Sequence, residues 1–367
     1  LAKRKGAFAE LNTMKTQRWI FSLITLFFVA LFAVPSLQSS DRQCIWTGVE
    51  KIVAVGDIHG DYDNFVTILK STGVISNEEH WIAGLTHLVQ TGDVMDRGPD
   101  ARKVLDLIMK LEKEAEKAGG MVHFLIGNHE EMNITGISID QPGYVTPEQF
   151  VSFLPEKFKK RKEKEFEKKN EASSSNKDKS LMAYWSRIMR EDEHARQIYI
   201  RNFNEEYGRW ILKHNAVIMI NEIVFVHGGI SKKFSKWKLS DINDRTRYEL
   251  SEFQNALLKN IPLEIDREIV FQREGPLWYR ELARQDERYF KTEVDTILKN
   301  LKARAMVIAH TPNTGMVASA ENMSRFDKRV WVIDTGISKV YGGILSALII
   351  KNGEFFVWSD NNEKHEE

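Results

Sequence analysis

Four short segments carry side chains able to bind metal ions and move protons. They are Gly56-Asp57-Ile58-His59-Gly60, Gly92-Asp93-Val94-Met95-Asp96-Arg97-Gly98, Gly127-Asn128-His129-Glu130 and His227-Gly228-Gly229, with a later His310 at the end of an apolar run. Asp, Asn and His offer oxygen and imidazole ligands, a donor set that suits Mn, Fe or Zn. The chain has one cysteine, Cys44, so a Cys-based zinc site and an intrachain disulfide are both excluded. Two metals held about 3.5–4 Å apart need a shared ligand, usually a carboxylate. Asp57 and His59 are two residues apart and share one side of an extended segment. The glycines around them let the backbone turn sharply. Hydrolysis at such a centre also needs cations for the phosphate oxygens and a proton donor for the leaving group.

These residues need a scaffold that brings distant loops together. The spacing predicts strands at 51–55, 85–90 and 121–126, with a helix over 101–119 carrying Val104, Leu105, Ile108 and Leu111 at helical intervals. Strands alternating with helices predict an α/β fold with parallel pairs. In such sheets the site lies beyond the carboxyl ends of the strands, where each motif sits. Further strands are predicted at 216–220, 223–226, 305–309, 330–334 and 343–350. Between them lie a polar insertion near 141–205 and a charged, mostly helical segment near 241–301. Within the insertion, 156–169 is Lys/Glu-rich and reads as a solvated surface helix, and 171–180 reads as a flexible linker.

Taken together and in this order, the motifs are similar to those of the calcineurin-like metallophosphoesterase superfamily, in its phosphoprotein phosphatase branch. Further stretches narrow the resemblance: Asn128-His129-Glu130-Glu131-Met132-Asn133, Gly275-Pro276-Leu277-Trp278-Tyr279-Arg280, and Asp334-Thr335-Gly336-Ile337-Ser338 with Tyr341-Gly342-Gly343. These resemble the Shewanella-like phosphatases, over about 51–350. The long C-terminal signature of the eukaryotic Ser/Thr phosphatases is missing, which leaves phosphotyrosine open as a substrate.

The resemblance implies a β-sandwich of two mixed sheets flanked by helices, with helical insertions. It implies two divalent metal ions (Mn, Fe or Zn), with Asp57 and His59 on the first, Asp93 bridging, and Asn128, His227 and His310 on the second. His129 would be the general acid, oriented by Asp96. Arg97 and Arg280 would hold the phosphate oxygens, a task that suits a planar guanidinium, and Asn128 would also face the substrate. The implied reaction is hydrolysis of a phosphomonoester on a protein or peptide by a bridging metal-bound hydroxide. A dinucleoside polyphosphate hydrolase on the same scaffold and a non-catalytic binding module are the alternatives. Trp278 and Tyr279 either line the substrate groove or pack in the core.

Composition adds limits. The 367 residues are 42% hydrophobic, enough for a sizeable core, and Lys+Arg and Asp+Glu both total 52. This balance gives no reason to expect a nucleic-acid partner. Near the N-terminus, Lys15 and Arg18 precede an apolar run from Trp19 to Val34, followed by Pro35-Ser36-Leu37-Gln38-Ser39-Ser40. That pattern predicts an export leader within 1–48, a signal peptide or signal anchor, with Met14 as a natural start. The apolar run makes a helix of about 24 Å, short of the ~30 Å hydrocarbon core, which favours cleavage. The catalytic domain, 49–359, is then expected outside the cytoplasm, periplasmic or membrane-anchored, touching membrane only through an uncleaved leader. Residues 360–367 read as a polar tail.

Overall fold

The computed structural model describes residues 42–172, 180–263, 266–313 and 317–360. Most of the leader, most of the 171–180 linker and nearly all of the tail lie outside them. Among the described residues no helix is long and apolar enough to cross a membrane.

Two mixed sheets form the body. The strands are β1 (Ile45–Trp46), β2 (Lys51–Val55), β3 (His87–Gln90), β4 (Met121–Phe124), β5 (Val217–Ile220), β6 (Ile223–Val226), β7 (Ala305–Ile308), β8 (Ser324–Arg325), β9 (Val330–Val332), β10 (Ser346–Lys351) and β11 (Glu354–Ser359). One sheet runs β11-β10-β2-β3-β4, the other β1-β5-β6-β7-β9-β8. The triplets β2-β3-β4 and β6-β7-β9 are each parallel, so each sheet delivers three carboxyl ends to one edge. This is the two-sheet α/β sandwich that the motif resemblance implies.

Alternation along the strands builds two cores. Ile52, Ala54 and Val89 face Ile218, Phe225, Val307 and Trp331 across the gap between the sheets. Val53, Val55 and Leu88 face the other way, against the helices. Truncating a fully buried member such as Phe225 to Ala costs about 3–5 kcal/mol in a core of this kind.

The helices include α1 (Tyr62–Ser71), α2 (Ala101–Lys117), α3 (Asn128–Ile134), α4 (Pro147–Ser152), α5 (Glu156–Ala172), α6 (Leu181–Glu191), α7 (Glu193–Phe203), α8 (Leu239–Lys259), α9 (Glu281–Arg284) and α10 (Glu287–Leu301). In α2, Val104, Leu105, Ile108, Leu111 and Ala115 are buried at helical spacing, and Ala118–Gly120 ends the element, with Gly119 at φ 80. Asp192 closes α6 and caps α7, its carboxylate accepting from the Ala195 amide.

Six of the eight predicted strands are shorter than expected, and for three of them the chain shows a local reason. β4 stops at Phe124 because Leu125 bridges to Asn215 of the other sheet, and the Ile126 amide donates to the Asn215 carbonyl. This crossing carries the chain from one sheet to the other just before Asn128. β9 stops at Val332 because the following residues turn into the cleft. β10 begins at Ser346 because Gly342 and Gly343, at φ 126 and 72, make a turn first.

Candidate active site

The carboxyl ends of β2, β3, β4, β6 and β7 deliver Asp57/His59, Asp93/Asp96/Arg97, Asn128/His129, His227 and His310 to one buried cleft. Asp57, His59, Asp93, Asp96, Asn128, His129, His227 and His310 are each at most 5% exposed. The backbone is constrained there. His59, Asp93, Asp96, Arg97 and His310 all have positive φ, between 46° and 70°. L-residues rarely adopt that region, and clusters of such residues mark sites whose side-chain aim is imposed by the surrounding structure. Gly127 is required by close approach: a Cβ there would collide with the Asp93 carboxylate and backbone amide.

Asp93 lies at the centre. Its carboxylate is shared by two groups of candidate ligand atoms, His59–Asp93–His129 and Asp93–His227–His310. His227 Nδ1 donates to the Thr91 carbonyl at 3.0 Å, which leaves Nε2 facing the cleft. That nitrogen is 2.9 Å from Asn128 Oδ1, 3.1 Å from His310 Nδ1 and 3.3 Å from Asp93 Oδ1. These are mostly lone-pair atoms, gathered with few protons to share among them. A divalent cation satisfies them all, so the residues present fit the second metal position. His310 Nε2 is also buried without a hydrogen-bond partner among the described residues.

On the first-metal side, His59 Nδ1 donates to the Met95 carbonyl at 3.0 Å, and its Nε2 lies 3.8 Å from Asp93 Oδ2. Asp57 was expected beside His59, but its Oδ1 lies 3.7 Å from His227 Nδ1 and accepts from the His310 amide at 3.4 Å, toward the second group. Burial, then the Asp334 and Asp93 carboxylates, push Asp57 well above the usual carboxylate range. Asp334 is raised to about 6, again mainly by burial. Crowded, buried carboxylates of this kind call for a cation. Asp93 behaves differently: burial opposes its charge, but the His227, His129 and His59 imidazoles hold it well below its ordinary value.

His129 points its Nε2 at Asp93 Oδ2, 3.9 Å away, and its Nδ1 at Asp96 Oδ2, 2.7 Å away. Burial alone would discharge the imidazole, but Asp93 and Asp96 outweigh it and raise its pKa. Asp96 is locked in turn by Asn133, Ser138 and Gln149, which donate to its carboxylate. The Tyr199 hydroxyl completes the network, donating to Asn133 Oδ1 and accepting from Gln149 Nε2, both at 3.0 Å. Asn133 is the i+4 neighbour of His129 on α3 and could have been found by that spacing. Ser138, Gln149 and Tyr199 come from separate elements and carry no such signal.

Glu130, fully buried, is a further residue that motif reading left without a role. Its carboxylate accepts from the Asp93, Val94, Met95 and Gly127 amides at 2.8, 2.9, 3.3 and 2.8 Å, which fixes the metal-ligand loop to the start of α3. Glu131 ties α3 to the Phe271–Arg280 segment, accepting from the Phe271 amide at 2.6 Å and from Trp278 Nε1 at 2.7 Å.

Each arginine contacts a neighbour of the cleft. Arg97 stacks on Tyr144, with its Cζ 3.9 Å from the ring centroid. Arg280 donates to the His310 carbonyl and, at 3.3 Å, to Thr311 Oγ1. Burial first, and Arg284 next, lower the Arg280 pKa. Tyr279 is 4% exposed and belongs to the core, whereas half-buried Trp278 sits edge-on to His310 with ring centroids 5.8 Å apart.

Comparison with known proteins agrees with this geometry. Residues 50–313 match the family model described as calcineurin-like phosphoesterase. An uncharacterised Schizosaccharomyces pombe protein is 31% identical over 83% of this chain and 78% of its own length. Shewanella-like protein phosphatase 1 of Plasmodium berghei is 28% identical over 80% of this chain and 68% of its own. A cold-active protein-tyrosine phosphatase from a psychrophilic Shewanella species superposes with a TM-score of 0.62 at 25% identity, covering 87% of this chain and 80% of that one. The chain belongs to the calcineurin-like phosphoesterase family, as a metal-dependent phosphatase.

Proposed function

We propose that this enzyme hydrolyses phosphomonoesters on protein or peptide substrates, with phosphotyrosine at least as good a substrate as phosphoserine. The observation that carries this reading is Asp93, shared between two ligand groups, with Arg97 four residues on in the same loop and Arg280 bonded to the His310 carbonyl. A terminal phosphoryl group presents three oxygens, which match two cation positions and two guanidiniums. The names of the Plasmodium relative and the Shewanella structure support the substrate class.

In this reading Asp57, His59 and Asp93 hold one divalent ion, and Asp93, Asn128, His227 and His310 hold the other. When bound, such ions supply Lewis acidity to the phosphoryl oxygens and lower the pKa of water. Arg97 and Arg280 bind and orient the phosphoryl group. His129, held by Asp96 with Nε2 toward the cleft, gives its proton to the departing oxygen. The burial of Asp93 and His129 keeps bulk water from screening these charges.

The test is kcat/KM of the metal-loaded protein on phosphotyrosine and phosphoserine peptides and on a diadenosine polyphosphate. Peptides should be the faster class. A dinucleotide preference of tenfold or more, about 1.4 kcal/mol in transition-state binding, would reverse the assignment. The basic flank and apolar run at 15–34 further support an exported enzyme. A fusion of 14–48 to a reporter active only after export should report activity, and a silent reporter would overturn that part.

A further inference from the structure

Beside the phosphate-binding Arg280 lies a hollow of about 470 Å³. Its walls are the aromatic rings of Phe271 and Trp278, and its rim carries Arg273, Arg280 and Arg284. Arg280 and Arg284 are four residues apart across α9, and the Arg284 amide donates to the Arg280 carbonyl at 3.1 Å. That spacing puts both side chains on one helical face. Trp278 Nε1 is held by Glu131, which fixes the orientation of its indole wall.

The charges in this hollow do not balance. Glu281 is the lining carboxylate, and it is engaged with Arg273 at 3.1 Å and with the Gln285 amide. Among the described residues neither Arg280 nor Arg284 has a carboxylate within ion-pair distance. Two like charges share one concave wall, and its one carboxylate is already engaged by Arg273 and Gln285. Arg280 is partly buried, so the like charge beside it is poorly screened there, whereas Arg284 is exposed.

The hollow shares Arg280 with the phosphate site, and its Trp278 wall also meets His310. A group entering it therefore belongs to a substrate whose phosphoryl group is already bound by Arg280. The geometry points to a specificity subsite for an acidic side chain, Asp or Glu, next to the phosphorylated residue of a peptide substrate. Its carboxylate would lie against Arg284 and its stem against Phe271 and Trp278. This rests on the phosphopeptide reading and adds a sequence preference to it: acidic phosphopeptides over neutral or basic ones. Arg284 is the specificity-determining residue, because Arg280 serves every phosphorylated substrate alike.

The experiment uses the metal-loaded full chain at low ionic strength and phosphotyrosine peptides with Glu, Gln or Lys at each of the two positions on either side. The best-placed Glu should raise kcat/KM about five- to tenfold over Gln, the scale of one well-placed ion pair at a partly screened site. Lys at that position should lower it. Near 1 M salt, where the Debye length is about 3 Å, the Glu advantage should close. Arg284→Gln should bring the Glu-to-Gln ratio close to one, and Arg284→Lys should retain part of it. Because Arg284 is exposed, neither change should unfold the protein. Equal rates on Glu and Gln peptides at every position, or an advantage that survives Arg284→Gln, would overturn the subsite. Hydrolysis of p-nitrophenyl phosphate by the unaltered protein separates the two readings. If that substrate turns over while Glu and Gln peptides are equivalent, the subsite fails and the phosphatase stands. If nothing turns over, both fail.

Discussion

The Nδ1 of His129 lies 2.7 Å from Oδ2 of Asp96, with both side chains buried. Asn133, Ser138 and Gln149 also donate to Asp96 and hold its carboxylate in the orientation that receives His129. The pair thus fixes which face of the imidazole meets the cleft. Burial pushes Asp96 up, but the bonds from His129, Ser138 and Asn133 outweigh it and keep the carboxyl ionised.

His129→Asn should therefore leave metal binding intact and lower turnover on alkyl phosphates and phosphoserine peptides by about 10²–10⁴-fold, the usual contribution of a positioned acid. With p-nitrophenyl phosphate, whose leaving group departs without a proton, the loss should be much smaller. Equal losses on both substrates, with metal content unchanged, would remove His129 from the acid role.

Glu130 is expected to act on metal affinity. Its two oxygens accept four backbone amides around Asp93. Glu130→Gln replaces one acceptor with an NH₂ group that faces those same donors, so the Asp93 loop must shift. Affinity for Mn or Zn should fall about 10–100-fold, as when a partner orienting a metal ligand is lost. Chelator competition measures this directly, and circular dichroism checks that the fold survives. Unchanged affinity would show that the loop holds its shape without Glu130.

The ligand loops were legible in the sequence because each follows a short, wholly buried strand. Ile52–Val55, Val224–Val226 and Ala305–Ile308 are continuous apolar runs of the kind that parallel sheets require. β11 was not legible as part of the body. It was missed although Phe355-Phe356-Val357-Trp358 is a continuous apolar run; the strand lies on an edge that only β10 pairs and most of it is exposed or half-buried. Asn352-Gly353, both at positive φ, was the available sign of a hairpin there. In the site, ligands announce themselves by residue type, but Gln149 and Tyr199 are ordinary residues until tertiary packing brings them to Asp96. Tyr144 likewise becomes visible only through its contacts with Arg97 and His129.

Glu131 should give the protein a measurable pH dependence. Burial raises its carboxyl to about 8, against which the Trp278 and Phe271 N–H groups act only in part. In an unfolded chain a glutamate releases its proton near pH 4.3. Between these values the folded state holds the extra proton, so stability falls as pH rises from about 5 to 8 and levels off above. Glu131→Gln cannot titrate. The wild-type melting temperature minus that of the variant, at equal metal loading, should therefore decrease across this range. A difference that is flat or rises with pH would show that Glu131 is ionised in the folded protein throughout.

Arg97, a phosphate ligand in the proposed reading, is visibly aimed by a neighbour. Its guanidinium lies on the Tyr144 ring at 3.9 Å, and its amide donates to the Tyr144 carbonyl at 2.7 Å. Its backbone lies in the left-handed region, at φ 70, which sets the direction in which the side chain leaves the chain. Tyr144 also meets His129, with ring centroids 4.8 Å apart. The ring, not the hydroxyl, makes both contacts, so Tyr144→Phe should stay near wild type. Tyr144→Ala should lower kcat/KM about 3- to 30-fold, matching the ~0.5–2 kcal/mol of a partly desolvated cation–π pair. Arg97→Lys should not restore binding, since an ammonium cannot reproduce a planar two-point contact. The decisive measurement is the double-mutant cycle. If Tyr144 acts by holding Arg97, Tyr144→Ala should cost much less in an Arg97→Ala background than alone. Purely additive losses would mean that Tyr144 contributes through His129 or through the substrate, and that Arg97 finds its position unaided.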